Sequence, residues 1–300
     1  MSSQWWELKI QGEPSLEEIV YWRLDDFGCH GMATEPQGQD QVLIRAYALQ
    51  DTFQELDIAA LATWLRQDAI AADFAPPTIT WSLIEEEDWA KNWQADWQPQ
   101  EIGDRFLINP AWLEVPQTDR LVLRLDPGAA FGTGVHPTTQ LCLESLEMRG
   151  GPGSGSGPET AIADIGCGSG ILSMGAILLG IGTVYAVDTD PLAVKVAQEN
   201  REFNKMTPEQ LSVTQGSLDQ ILPLAGRPVD GLVCNILAEV ITELIPEMTQ
   251  VVKSKGWAIL SGILLDQAQD VAEVLERNDW IVATLWKRGE WCCFNTRRAS

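Results

Sequence analysis

The chain has 300 residues, which at roughly 150 residues per domain accommodates one large domain or two unequal ones around a sizeable core. Its 45% hydrophobic and 21% charged content is that of a globular protein and excludes a wholly disordered or fibrous chain. Lys and Arg total 20 against 43 Asp and Glu, a formal net charge of -23, which disfavours a protein held on nucleic acid by phosphate neutralisation and suits a basic partner or simple solubility.

The acidic excess is uneven: residues 1–120 hold 22 acids and 7 bases, residues 121–300 hold 21 and 13. Six cysteines include no CxxC pair, and His30 and His136 are the two histidines, so a structural zinc site lacks ligands at suitable spacing and no metal is expected. The cysteine usage suits a reducing compartment. Met1 to Lys9 has no cationic region leading into an apolar stretch, and no run approaches about 18 uninterrupted apolar residues. The expectation is a soluble, cytoplasmic monomer with no membrane partner.

Taken in order, Trp5–Gln11 reads as a strand, and Leu16, Ile19, Val20 and Leu24 fall at helical spacing. Asp26 to Gly31 breaks that helix before a weak strand near Met32. Gln41–Leu49 alternates as a strand, Leu56–Ile70 as an amphipathic helix, and Thr78–Ile84 as a further strand after Pro76-Pro77. The order strand, helix, strand, strand, helix, strand predicts a smaller α+β ferredoxin-like domain over 1–85. An acidic stretch with Trp89, Trp93 and Trp97 four apart predicts a Trp-rich helical linker over 86–104. Its stripe either docks the linker on a neighbouring domain or forms an exposed partner surface.

Residues 105–300 are expected to form the main domain. Thr138–Met148 has a helical pattern that lacks a core unless it packs with the chain beyond residue 158, so the Gly/Ser-rich stretch 150–158 reads as an insertion and not a boundary. Beyond it strands and helices alternate: strands at Ala161–Ile165, Thr183–Val187, Leu211–Thr214, Asp230–Cys234 and Trp257–Leu260, and helices at Ile171–Leu179, Pro191–Asn204, Leu237–Val251 and Asp266–Glu276. That alternation predicts an α/β, Rossmann-like, mostly parallel doubly wound sheet with ligand at the carboxyl ends of its strands. Ile281–Lys287 and Trp291–Thr296, joined by a tight turn, predict an antiparallel terminal edge.

Chemistry concentrates at three strand ends. Asp164-Ile-Gly166-Cys-Gly168-Ser-Gly170 delivers a strand into a glycine turn that opens a helix, where a ligand can approach the backbone and meet helix-start amides. Position 171 is Ile, so the spacing departs from the dinucleotide fingerprint, and the absence of a Gly-Lys-Ser or Gly-Lys-Thr excludes a phosphate-binding loop. Asp188, 22 residues beyond Gly166, ends the next strand and suits a ribose diol. The other reading of Asp188 is a helix cap, for which Asp190 before Pro191 is the better candidate. Asn235 ends an apolar strand; it either caps the next helix or orients a nucleophilic nitrogen. Upstream, residues 126–140 are too Gly-rich and polar for a core element and read as a loop entering a helix.

The glycine turn resembles the first motif of class I S-adenosylmethionine-dependent methyltransferases. With Asp126-Pro-Gly-Ala-Ala-Phe131-Gly-Thr-Gly134-Val-His136-Pro-Thr-Thr139 ahead of it and Asn235-Ile-Leu-Ala behind, the chain resembles the bacterial ribosomal protein L-eleven methyltransferases from about Asp126 to its end. The resemblance implies S-adenosyl-L-methionine as cofactor, with contacts at Thr139, Gly166, Gly168, Asp188 and Asn235, and Asn235 and Phe131 as catalytic-site residues. It implies methyl transfer to lysine side-chain amines and the terminal α-amine of a basic large-subunit ribosomal protein, captured by the acidic amino-terminal domain, with no direct nucleic-acid binding. His136 reads either as a base or as a residue holding its loop. Three other readings stay open: a class I methyltransferase for another protein or a small molecule, an NAD-dependent dehydrogenase built on the same strand, turn and Asp188, and a non-catalytic module with a relict cofactor fold.

Overall fold

The computed structural model describes residues 4–37, 41–72, 74–85, 97–126, 134–150 and 156–299. The chain divides into two units, Met1–Trp97 and Gln98–Ser300.

In the first unit, strands β1 (Gln4–Gly12), β2 (His30–Pro36), β3 (Val42–Leu49) and β4 (Thr78–Glu85) form an antiparallel sheet in the order β2-β3-β1-β4, with helices α1 (Glu17–Phe27) and α2 (Glu55–Ala71) between them. This is the expected ferredoxin-like layout. Leu8 and Ile10 of β1 stand opposite Ala46 and Ile44 of β3 and Trp81 and Ile79 of β4. Side chains two apart share a face, so these residues make one apolar surface. It is covered by Leu16, Val20 and Leu24 on and just before α1 and by Ile58, Leu61 and Leu65 on α2. α1 runs through Phe27 and stops at Gly28, whose φ of +88° ends the helix. Leu56 and Ile70, the expected ends of the apolar stripe on α2, are in the helix but exposed. At the start of α2 the Gln54 amide donates to Asp57 Oδ2 at 2.8 Å, half of a capping box.

The second unit contains a seven-stranded sheet: β8 (Ala161–Ile165), β9 (Thr183–Asp188), β10 (Leu211–Gln215), β11 (Val229–Asn235), β12 (Val252–Leu264), β13 (Trp280–Arg288) and β14 (Trp291–Arg298). Its order is β10-β9-β8-β11-β12-β14-β13. The first five neighbours pair in parallel, and β14 pairs antiparallel with both β12 and β13. The expected doubly wound sheet with an antiparallel edge is present. Helices α3 (Pro137–Arg149), α4 (Ile171–Leu178), α5 (Pro191–Phe203), the short α6 (Ile221–Ala225), α7 (Ala238–Val251) and α8 (Ala268–Arg277) complete the unit. Leu141, Cys142, Leu143 and Leu146 of α3 are buried, so this helix finds its core in the sheet formed by the later strands.

A second, three-stranded sheet of β5 (Gln100–Ile102), β6 (Phe106–Pro110) and β7 (Leu121–Leu125) is absent from the sequence expectations. Every residue of β6 is buried, so it shows no alternation to read. β5 corrects the helical linker: its last stretch is strand, because Gln100 to Ile102 pairs with Ile108 to Phe106. The Trp89 and Trp93 turns of that linker, most of the Gly/Ser stretch, and Phe131 lie outside the described residues. All six cysteines are free and buried, Cys292 and Cys293 within β14.

Candidate active site

The strand order reverses between β8 and β11, and in such sheets the crevice beyond the carboxyl ends at that point is where ligands bind. The glycine turn leaves the end of β8 there. Gly166 has φ +69°, and a Cβ on it would stand 2.3 Å from Ile236 Cγ2. A side chain at 166 therefore meets both a left-handed backbone penalty of about 1–2 kcal/mol and a direct clash. Gly170 caps α4 from the left-handed region, and the Gly166 and Cys167 amides donate to Val187 O at 2.9 and 3.1 Å, fixing the turn to β9.

Asp188 sits at the end of β9. Its Oδ2 accepts from the Gly168 amide at 2.9 Å and its Oδ1 from the Asp190 amide at 3.0 Å. An ionised carboxylate offers about four lone-pair directions, so both oxygens keep a further acceptor position for a ligand diol. Asp190 is the helix cap: its Oδ1 accepts from Leu192 N at 2.8 Å at the start of α5, worth about 1 kcal/mol.

Asn235 ends β11 opposite Ser261 of β12. The cap of α7 is Leu237, not Asn235, so the helix-cap reading of this asparagine does not hold. Its Nδ2 donates to Thr139 Oγ1 at 3.4 Å, while its Oδ1 is buried without a partner. A buried acceptor left unmade costs about 1–3 kcal/mol, so this oxygen stands ready for a donor. Thr139 is buried on the first turn of α3. The structure thus brings Gly166, Gly168 and Asp188 together through hydrogen bonds, and Thr139 to Asn235, at strand ends around one crevice.

His136 is the cap of α3. Its Nδ1 accepts from the Thr138 amide at 3.4 Å and lies 2.7 Å from Thr138 Oγ1. Its ring packs edge-on against Trp291, centroids 4.9 Å apart. Burial pushes its pKa down to about 4, so it is neutral at pH 7 with Nδ1 engaged. These contacts favour the loop-holding reading over the base.

Two polar residues behind the crevice have roles that the sequence does not announce, although Asp164 opens the glycine motif. Asp164, buried at the end of β8, accepts from Ser173 Oγ at 2.6 Å. Burial, with a smaller push from Asp188, raises its carboxyl to about 7. Asn200, fully buried on α5, donates from Nδ2 to Ser169 O at 2.9 Å and accepts at Oδ1 from Asp126 N at 2.8 Å. It joins the glycine turn to the start of the Asp-Pro-Gly segment. A signal existed for it: Asn200 continues the buried stripe of Ala193, Val196 and Ala197 on α5, where an apolar residue is the norm.

The sequence profile described as "Ribosomal protein L11 methyltransferase (PrmA)" matches residues 4–299. A ribosomal protein L11 methyltransferase from Cyanothece sp. is 52% identical over 299 residues, 99% of this chain and 100% of the relative. One from Thermosynechococcus vestitus is 53% identical over 299 residues, 99% of this chain and 98% of the relative. Among solved structures, the crystal structure of a ribosomal protein L11 methylase from Lactobacillus delbrueckii subsp. bulgaricus is similar with a TM-score of 0.60 at 28% identity, covering 68% of this chain and 100% of that one.

Proposed function

This chain belongs to the ribosomal protein L11 methyltransferase family, and from that premise we propose that it methylates lysine side-chain amines and the terminal α-amine of ribosomal protein L11 at the crevice between β8 and β11. It is an S-adenosylmethionine-dependent protein methyltransferase, which removes the dehydrogenase and relict-module readings.

The observation that carries the site assignment is the buried, unpartnered Oδ1 of Asn235 beside a glycine turn that admits no side chain. Asp188 would hold the ribose hydroxyls, Gly166 and Gly168 would lie against the cofactor, and Thr139 with Asn235 would flank its methionine end. Phe131 enters on the family resemblance alone. S-adenosylmethionine supplies, when bound, a sulfonium methyl group already activated for in-line displacement. The protein has therefore to align the acceptor and present it as a neutral amine. Asn235 Oδ1 accepts one N–H of that amine and so aims the nitrogen lone pair. A free lysine ionises near pKa about 10.4; desolvation in the crevice favours its neutral form, so no dedicated base is required. His136 fits a role in holding α3.

The amino-terminal unit would capture the substrate. Its two helices carry Trp22 and Trp64 at 59% and 44% exposure, with the Arg23 guanidinium 4.8 Å and 5.9 Å from their rings and bonded to Asp68. Large aromatic and Arg residues dominate binding surfaces, and the acidic excess of residues 1–120 suits a basic ribosomal protein. We assign the enzyme to the cytoplasm as a monomer, acting on the protein without contacting nucleic acid; among the described residues no helix is long and apolar enough to cross a membrane. Incubation with radiolabelled S-adenosylmethionine and purified L11, free and within ribosomes, and then mass mapping of the product, should place label on lysine and terminal amines. Label on other residue types, or on a different protein, would refute the assignment.

A further inference from the structure

The first turn of α3 carries Thr139 to Asn235, so whatever fixes that turn fixes one side of the site. His136, Gln140 and Glu144 lie at i, i+4 and i+8 on one stripe of α3, and the β13–β14 hairpin meets that stripe. Arg288, at the end of β13, donates from Nη1 to Gln140 Oε1 at 2.6 Å and from Nη2 to Glu144 at 3.1 Å. Gln140 then donates from Nε2 to Val135 O at 2.9 Å. Trp291, opening β14, packs on His136. The Gln140 carboxamide therefore links the hairpin on one side to the segment entering α3 on the other.

We propose that Arg288 and Gln140 form a positioning relay, by which the carboxyl-terminal hairpin holds Val135 to Thr139 in place for cofactor binding. It rests on the reading of the crevice as the S-adenosylmethionine site. Glu144 lies outside the relay: it anchors the Arg288 guanidinium from the side but touches neither Gln140 nor Val135 in the bonds above. Lys at 288 would offer Gln140 a flexible point charge in place of a donor whose direction the planar guanidinium fixes, so Arg288→Lys should restore the relay only in part.

Two measurements on the full-length protein test the relay. In calorimetric titration with S-adenosylmethionine, Arg288→Met and Gln140→Leu should each weaken binding about tenfold, the size of one net hydrogen bond lost from the arrangement that binds. The double variant should be no weaker than either single one, because both cut the same connection, and Glu144→Gln should stay within about twofold of the unaltered protein. Without cofactor, amide hydrogen exchange over residues 134–140 should quicken in both single variants, while exchange in β8 and β9 stays unchanged. Additive losses of affinity, or unchanged exchange at 134–140, would overturn the relay. Failure of the unaltered protein to bind S-adenosylmethionine would overturn the site assignment instead, and the exchange measurement would still decide the relay.

Discussion

The two units bury polar groups very differently. Among the described residues, Glu7 is the buried polar residue of the first unit, held by Lys9 at 2.8 Å and Arg45 at 3.2 Å. The second unit buries Thr139, Asp164, Ser169, Ser173, Asn200 and Ser261 among others, close to the carboxyl ends of its strands or on the helices behind them. Buried polar atoms are costly unless bonded, and these bonds tie helices to strand ends, as Ser173 to Asp164 and Asn235 to Thr139, or join loops, as Asn200 does. The first unit exposes Trp22 and Trp64 on its two helices. On the function proposed above, the first unit would recognise at its surface and the second would hold the reacting geometry in its interior.

Removing the first unit tests that division most severely. A chain beginning at Gln98 should bind S-adenosylmethionine with unchanged affinity and lose L11 methylation, because the crevice residues all lie beyond that point while the acidic surface is gone. Retained methylation in a filter-binding assay would show that the second unit recognises its substrate alone. In the intact chain, methylation at limiting L11 should fall with rising salt, since exposed charges are screened beyond about 8 Å at physiological ionic strength.

Asn235→Ala tests the interior. If Asn235 aims the amine as proposed, loss of that acceptor should lower kcat by on the order of 10²-fold, with a smaller change in cofactor affinity, because Asp188 and the glycine turn are untouched. Full kcat with unchanged affinity for S-adenosylmethionine would remove Asn235 from the mechanism.

Legibility in the sequence tracks locality. The glycine turn, the Asp190 helix cap and the polar residue ending β11 are each written within a few residues, so spacing alone predicts them. Gln140 and Arg288 are 148 residues apart, and no periodicity in either segment announces that they meet. Asn200 is readable only as a breach of an apolar stripe. β5 and β6 are hidden for opposite reasons: the four-residue spacing of Trp89, Trp93 and Trp97 suggests helix up to the edge of β5, and β6 is buried on both faces. Leu56 and Ile70 show that helical spacing predicts a helix more securely than it predicts which residues the helix buries.

The smallest expected effect separates a buried and a partly buried titrating group within the second unit. Burial raises Asp164 from 3.8 to about 7, so its contribution to stability is fully present below about pH 4 and is lost as pH rises through about 7. Burial lowers His136 from 6.5 to about 4, so its contribution is present above about pH 6.5 and is lost as pH falls through about 4. Between those limits the two oppose each other, so each masks part of the other in the unaltered protein. Asp164→Asn, whose carboxamide oxygen still accepts from Ser173, should gain thermal midpoint relative to the unaltered protein as pH rises from 4 to 7. His136→Asn, which keeps a capping acceptor, should gain it as pH falls from 6.5 to 4. Midpoint curves for either variant that run parallel to the unaltered protein across its window would show that the group does not titrate there. Curves that diverge in opposite directions would place a proton on Asp164 and none on His136 at pH 5.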